Sequence, residues 1–491
     1  LLAVREDHAG EGEPQTELVA LPLHAGDGDA ARVLATGADF YGRPAYRDSQ
    51  VAWTQWNHPD MPWDSCEVWR AGLDQPAVKV AGGGGVSALN PLFLSDGRLA
   101  WIDDAEGYWN LTLDDGTRFR DDHDFCSPPW TLEEPGYAQL DETTLLATRF
   151  VDGLGDLVRV DLTTGEIAGL GLGTGEIESI ACAGHEGYLI ALSPRRPARL
   201  ARLKADGLVT LAGPEIGFEP VLPRSLWFDG QAGPTHALLY SPVSGEEGPC
   251  PLLVRCHGGP TGMARAILDL EVQFWVGRGI AVLDLNYSGS AGFGRAYRER
   301  LKGQWGVLDV ADCLAAVEHL VATGVADPRK VGISGGSAGG YTVLQSLVSS
   351  SVFTAGISRY GIGDLEALAA DTHKFESRYL DGLVGPYPEQ RRLYRERSPI
   401  HHVENLATPM LILQGRDDLV VPVTQAEAMA KAVRDKGLPV ALLVFDGEGH
   451  GFRMVDNRRS SLLAQLSFLA QVWGFTPADG LPPLEIENLG R

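Results

Sequence analysis

The sequence predicts two architectures in series: an all-β region of repeated short strands, then a doubly wound, mostly parallel α/β sheet. Three observations predict this. Short apolar runs alternate with Asp-Gly and Thr-Gly turns through roughly the first 215 residues. After Pro220, strand-like runs alternate with long stretches of helical period. The total of 491 residues exceeds what one core normally holds, since domains usually run to about 100–200 residues.

In the first region, residues 51–56, 67–70, 98–102, 145–148, 157–160, 188–192 and 198–203 read as strands. They are separated by turns such as Ser95-Asp96-Gly97, Thr163-Thr164-Gly165 and Asp206-Gly207. None carries a helical period. Several short strands per unit, repeated about every 40–45 residues, is the pattern of propeller blades. Residues 1–215 are therefore expected to form a β-propeller of about four to five blades, incomplete at the N-terminus. A pair of β-sandwiches is the alternative. In the second region, residues 251–256, 280–285, 330–334, 353–357, 410–413 and 440–445 read as strands. Residues 310–322, the stretch from Gly339, and 462–473 read as helices. Residues 216–478 are expected to be an α/β-hydrolase domain, and 479–491 an acidic, Pro-rich tail lying over the surface.

A formal charge of −24 argues against nucleic acid and against anionic membrane surfaces, both of which need Lys and Arg. The six cysteines, Cys66, Cys126, Cys182, Cys250, Cys256 and Cys313, include no Cys-x-x-Cys pair, so no metal is expected. Cys256 and Cys313 sit in apolar runs and read as small core residues. A reducing cytoplasm fits this usage, and the first residues lack the apolar run of a signal peptide. The chain starts at Leu1 rather than Met, so a natural N-terminus upstream is expected.

The chemistry lies in the second region. Gly335-Gly336-Ser337-Ala338-Gly339 fits Gly-x-Ser-x-Gly, after a strand and before a helix, the context in which a tight turn lifts a serine hydroxyl clear of the backbone. A free serine is a poor nucleophile and needs a base. The partners must follow in the order acid, then histidine. Gly415-Arg416-Asp417-Asp418 and Gly449-His450-Gly451 each follow a strand. Asp417 is the expected acid, with Asp418 the competitor, and His450 the base. His257-Gly258-Gly259-Pro260 also follows a strand. The N–H groups of Gly259 and Ala338 are the expected oxyanion donors, with His257 a structural hydrogen-bonder.

Together these residues resemble the prolyl oligopeptidase family, most closely its acylaminoacyl-peptidase and dipeptidyl-aminopeptidase branch. The matching motifs are His257-Gly-Gly-Pro260, residues 286–294 (NYSGSAGFG), Gly335 to Tyr341, Ser398-Pro399 with His402, and Gly449-His-Gly451. Residues 56–63 (WNHPDMPW) are the most distinctive piece of the looser propeller resemblance. The resemblance implies a propeller that admits short peptides and excludes folded proteins. Family members commonly have seven or more blades, and this chain shows fewer. Prolyl oligopeptidases carry an Arg two positions after the catalytic Asp, where this chain has Leu419. A substrate carbonyl left without that donor would lose about 1.5–3 kcal/mol, so cleavage near the N-terminus is expected over cleavage within extended chains.

The expected activity is therefore that of a serine exopeptidase, an aminopeptidase or acylaminoacyl peptidase, acting on short peptides or aminoacyl amides. A small-molecule esterase or amidase is the alternative. No cofactor is expected. Oligomers are common in the family, and the sequence fixes no number of subunits. An aminopeptidase must hold an ammonium group. Asp364, Glu366, Asp371, Glu376 and Asp381 follow a strand end, and Glu376, beside Arg378, is the candidate among them. Solvated helix charges are the other reading of this segment. Glu6 and Asp7 are rivals in the first region. Tyr341, Ile362 and Phe375 are candidates to line the pocket for the residue whose bond is cut, with core packing the other reading of all three.

Overall fold

The computed structural model describes residues 1–10, 12–23, 31–73, 75–132, 136–205, 207–243, 248–370, 372–478, 480–481 and 483–490. The chain forms two compact units. One comprises Leu1–Glu219 with Arg265–Leu268 and Ala291–Tyr297; the other comprises Pro220–Ala264, Asp269–Ser290 and Arg298–Arg491.

Among the described residues, the first unit is a series of five antiparallel meanders over residues 2–35, 40–82, 88–119, 137–169 and 176–212, the first with three strands. Strand alternation builds them. Along Glu186–Ser193, Gly187, Leu189, Ala191 and Ser193 are buried, while the residues between them are more exposed, the period of two that half-buried strands require. Gly97, in an Asp-Gly turn, has φ 91°, a conformation that L side chains rarely adopt. Three pairs of consecutive meanders share hydrophobic clusters. Leu18 of the first meets Val51 and Trp53 of the second. Ala52 and Val68 of the second meet Ala88, Leu99 and Trp101 of the third. Leu146 and Leu157 of the fourth meet Ile177, Ile180 and Leu189 of the fifth. Each such aliphatic side chain contributes about 1.5–3 kcal/mol by leaving water. In the 56–63 segment, Trp56 stacks on Phe40 at 5.1 Å and Trp63 packs on Trp130 at 4.6 Å.

The second unit is built on one eight-stranded sheet. Its strands are β1 (Arg224–Gly230), β2 (Gly233–Tyr240), β3 (Cys250–Cys256), β4 (Ala281–Asn286), β5 (Ala326–Gly336), β6 (Ala355–Arg359), β7 (Met410–Gly415) and β8 (Val440–Phe445). The spatial order is β1-β2-β4-β3-β5-β6-β7-β8. The pairs β1/β2 and β2/β4 are antiparallel; from β4 to β8 all pairs are parallel. Every residue of β4 and β7 is buried, as a parallel sheet covered on both faces demands. The helices that matter below are α1 (Leu308–Ala322), α2 (Ala338–Ser349), α3 (Val423–Asp435) and α4 (Val455–Trp473).

Two features went unread in the sequence. The β1–β2 hairpin is part of the catalytic sheet, although several β1 residues face solvent. The last helix starts at Val455 rather than 462, because its first two turns are polar and exposed and so carry no apolar period. The tail is tied down: Glu487 pairs its backbone with Val440 and its carboxylate with Arg434. Among the described residues, no helix is long and apolar enough to cross a membrane.

Candidate active site

The centre of the sheet sets the position of Ser337. Strand β5 lies between β3 and β6, and Ser337 stands between the end of β5 and the start of α2. Its backbone is held at φ 56°, ψ −125°, costly for a residue with a side chain and found where surrounding structure enforces it. The enforcement is visible. The Ser337 N–H donates to the Arg359 carbonyl of β6 at 3.1 Å. A Cβ on Gly339 would lie 2.2 Å from the Cys256 carbonyl oxygen, and one on Gly335 2.4 Å from that of Gly339. Only glycine lets α2 start this close to β3.

The loops after β7 and β8 supply the partners. The Ser337 hydroxyl lies 2.8 Å from His450 Nε2, and His450 Nδ1 lies 2.9 Å from Asp418 Oδ2. With Nδ1–H donated to the carboxylate, Nε2 is free to accept from the serine. The acid in contact with His450 is thus Asp418, not the expected Asp417. Asp418 is buried, and its Oδ1 accepts the N–H groups of Val420 at 2.9 Å and Val421 at 2.8 Å. Gln414 Nε2 donates to Oδ2 at 3.2 Å. Asp417 is exposed, and its backbone N–H pairs with the Glu448 carbonyl at 2.9 Å. The phase of the turn, which points adjacent side chains in opposite directions, decides between two residues of identical chemistry. The position two after the acid becomes Val420 rather than Leu419, which is 88% exposed. Neither is Arg.

The histidine loop is pinned from below. Glu448 is buried, and its carboxylate accepts the N–H groups of Arg453 at 2.8 Å and Met454 at 2.9 Å and the Asn457 amide at 3.0 Å. Tyr360, which follows β6 with φ 39°, sets its ring edge-on to His450 at 5.0 Å.

Gly259 and Ala338 both line the pocket at Ser337. Ala338 opens α2, where the first N–H groups find no acceptor within the helix. Gly259 has φ 124°, and a Cβ on the next glycine back, Gly258, would lie 3.6 Å from Ser337 Cβ. His257 takes a structural place. Its Nδ1 contacts the Gly258 carbonyl at 2.9 Å, its Nε2 the Ser290 hydroxyl at 2.7 Å, and its ring stacks on Tyr287 at 4.3 Å. Burial pushes its pKa down to about 4, opposed by the bond to Gly258, so the ring is neutral at pH 7.

The pocket beside Ser337 encloses about 410 Å³, part of it open to solvent. Its walls are mostly apolar, with Ile362, Leu368, Leu380, Leu383, Val420 and Val421 prominent. Of the expected pocket residues, Ile362 and Glu376 line it. Tyr341 does not. It is buried behind the wall, where its hydroxyl donates to the Arg397 carbonyl at 2.9 Å and its ring packs on Trp305 at 4.3 Å. Phe375 is half-buried and outside the lining.

The acidic segment divides. Asp364 caps a short helix by accepting the Glu366 N–H at 2.9 Å, Glu366 pairs with Arg391, and Asp381 pairs with Arg378 at 2.7 Å. Asp371 lies outside the described residues. Glu376 alone among the described acids of this segment lines the pocket, with His373 Nε2 at 3.8 Å rather than Arg378 as its ion-pair partner. Burial raises the Glu376 pKa, against the pull of His373 and His450. Glu6 and Asp7 end the first strand of the first unit, where Asp7 accepts the Ala9 N–H at 2.9 Å. Trp305 and Thr372 also line the pocket. Neither was singled out from the sequence, since the lining comes from segments scattered between residues 259 and 421.

This geometry agrees with the comparisons to known proteins. Residues 267–476 match the prolyl oligopeptidase family. A solved Mycobacterium tuberculosis puromycin-hydrolyzing peptidase is 38% identical, with a TM-score of 0.92, over 99% of this chain and 79% of that one. This chain belongs to the prolyl oligopeptidase family. With the family comes the enzyme class, a serine peptidase. Among curated family members, dipeptidyl aminopeptidase BIII of Pseudoxanthomonas mexicana is 31% identical over 46% of this chain and 34% of its own length. The acylamino-acid-releasing enzyme of Arabidopsis thaliana is 30% identical over 45% of this chain and 30% of its own. The peptidase thus spans about a third of the length of the curated relatives it matches.

Proposed function

We propose that this peptidase is a serine exopeptidase that hydrolyses short peptides and aminoacyl amides near their N-terminus. The observation that carries the reading is Glu376, a carboxyl in the same pocket as Ser337. A free α-amino group is an ammonium near neutral pH. Its arrival would add opposite charge beside this partly buried carboxyl, stabilising the carboxylate. The acyl group and its side chain would fill the apolar remainder of the pocket. The similarity to a dipeptidyl aminopeptidase and an acylamino-acid-releasing enzyme suits this class.

In the proposed mechanism, Ser337 Oγ attacks the scissile carbonyl and its proton passes to His450 Nε2. Asp418 holds the imidazole and stabilises its cation. The Gly259 and Ala338 N–H groups receive the oxyanion. His450 returns the proton to the departing amine, leaving an acyl group on Ser337. Water, deprotonated by His450, then releases the acid. We read the five meanders of the first unit as propeller blades.

The test is a matched pair, an aminoacyl p-nitroanilide and its N-acetylated twin. The free amine should turn over faster. Glu376→Gln should raise its KM about tenfold or more, the usual loss when a hydrogen bond to a charged group goes, and leave the twin unchanged. Faster turnover of the twin would overturn the aminopeptidase reading in favour of an acylaminoacyl peptidase.

A further inference from the structure

Two tyrosines hold the loop that follows β3. Tyr287, just past β4, donates its hydroxyl to the His257 carbonyl at 2.8 Å. Tyr379 opens a short helix, Tyr379–Leu383, and its side chain belongs to the pocket wall. Its hydroxyl oxygen accepts the Thr261 N–H at 3.2 Å and lies 2.6 Å from Thr261 Oγ1. Thr261 and Tyr379 are both buried. A phenol suits this place, since its oxygen takes the N–H while a second hydrogen bond joins the two hydroxyls. Phenylalanine would keep the ring and lose both bonds, leaving a buried N–H unpaired.

Between the two held points lie Gly258, Gly259 and Pro260. Glycine is the residue with the widest choice of backbone angles, so residue type does not fix the direction of the Gly259 N–H. Its own bonding does not fix it either. Among the described residues, no backbone carbonyl accepts the Gly259 N–H. The direction must come from its neighbours. The ring of Pro260 locks φ there, so the hold on Thr261 is carried back to Gly259. This matters because a donor stabilises an oxyanion only when it is aimed before the charge develops. Ala338 is aimed separately, by the start of α2.

We propose that Tyr379 is a positioning residue for the oxyanion site: its hydroxyl, by holding Thr261, sets the direction in which Gly259 presents its N–H to the reacting carbonyl. The inference rests on the reading of Gly259 and Ala338 as the oxyanion donors. It adds the side chain that aims one of them. The hydroxyl acts through Thr261, while the ring remains part of the pocket wall. Loss of the hydroxyl should therefore weaken one donor of two and leave the wall in place.

The test compares p-nitrophenyl acetate with p-nitrophenyl thionoacetate. The two differ only in the atom that becomes the anion, and sulfur is the poorer hydrogen-bond acceptor. Oxyanion donors therefore speed the oxo ester far more than the thiono ester. Tyr379→Phe should lower kcat/KM for the oxo ester about tenfold, part of the roughly 10²–10³ that loss of a whole oxyanion donor costs, and for the thiono ester less than about twofold. Thr261→Val keeps the N–H and removes the hydroxyl. It should show the same selective loss at about threefold, and serves if the phenylalanine variant fails to fold. Equal losses on the two esters would make Tyr379 a residue of the fold alone and overturn the inference, as would an oxo ester that neither variant slows. A wild type without preference for the oxo ester would remove Gly259 and Ala338 as oxyanion donors, and this inference with them.

Discussion

The serine turn and the acid turn of this enzyme are held in opposite ways. Around Ser337, backbone packs against backbone: added Cβ atoms at Gly335 and Gly339 would lie 2.4 and 2.2 Å from carbonyl oxygens. Residue type there is dictated by space. Around Asp418 the constraint is a set of donors, from Val420, Val421, Gln414 and His450. Those donors would accept a carboxylate from either of two adjacent residues. Steric constraint writes itself into composition, whereas hydrogen-bonding constraint leaves the choice to the path of the chain.

The sharpest way to break this contrast is to exchange the two acids for amides. Asp418→Asn should lower kcat by about 10⁴ while retaining the fold, because the amide favours the wrong histidine tautomer. Asp417→Asn, on an exposed side chain, should change kcat less than twofold. A reversed pattern would return the role to Asp417. Next in size is the serine turn. Gly339→Ala should destabilise the enzyme by about 2–3 kcal/mol, the cost of overpacking against backbone, or prevent folding, as read by denaturant unfolding. Gly382→Ala, at an exposed helical position where an added Cβ meets nothing within 4 Å, is the control.

The histidine loop lies between the two cases. Glu448→Ala would leave the Arg453 and Met454 amides unpaired, costing about 1–3 kcal/mol. Loosening His450 should lower kcat several-fold with little change in KM. The smallest effect concerns pH. Burial raises the Glu376 pKa, so below that raised value the carboxyl is neutral and offers an ammonium no charge. As pH rises through it the carboxylate forms, and KM for a free-amine substrate should fall. KM for the N-acetylated twin should stay flat over the same range, and parallel profiles for the two would remove Glu376 from ammonium binding.

The same contrast explains what was legible. The parallel sheet, the strand–Ser337–helix turn and the order of serine, acid and histidine follow from spacing and residue type, and all could be read. The β1–β2 hairpin escaped because its first strand is half solvent-facing. Tyr341 was a candidate for the pocket, with core packing as the other reading. The fourth residue of α2 instead turns inward, toward Arg397 and Trp305. Trp305 and Thr372 carry no local signal at all, since a pocket wall exists only once distant segments have closed around it. Glu376 was identified by chemistry alone, as the one acid needed for an ammonium, and it lines the pocket.

The most direct measurement is to treat the enzyme with an organophosphorus fluoride and map the adduct by peptide mass while following peptidase activity. The expected result is one phosphoryl group per chain, on the peptide containing Ser337, with activity lost in proportion and both absent from Ser337→Ala. Labelling elsewhere with equal loss of activity, or hydrolysis retained by Ser337→Ala, would contradict the assignment of Ser337 as the nucleophile.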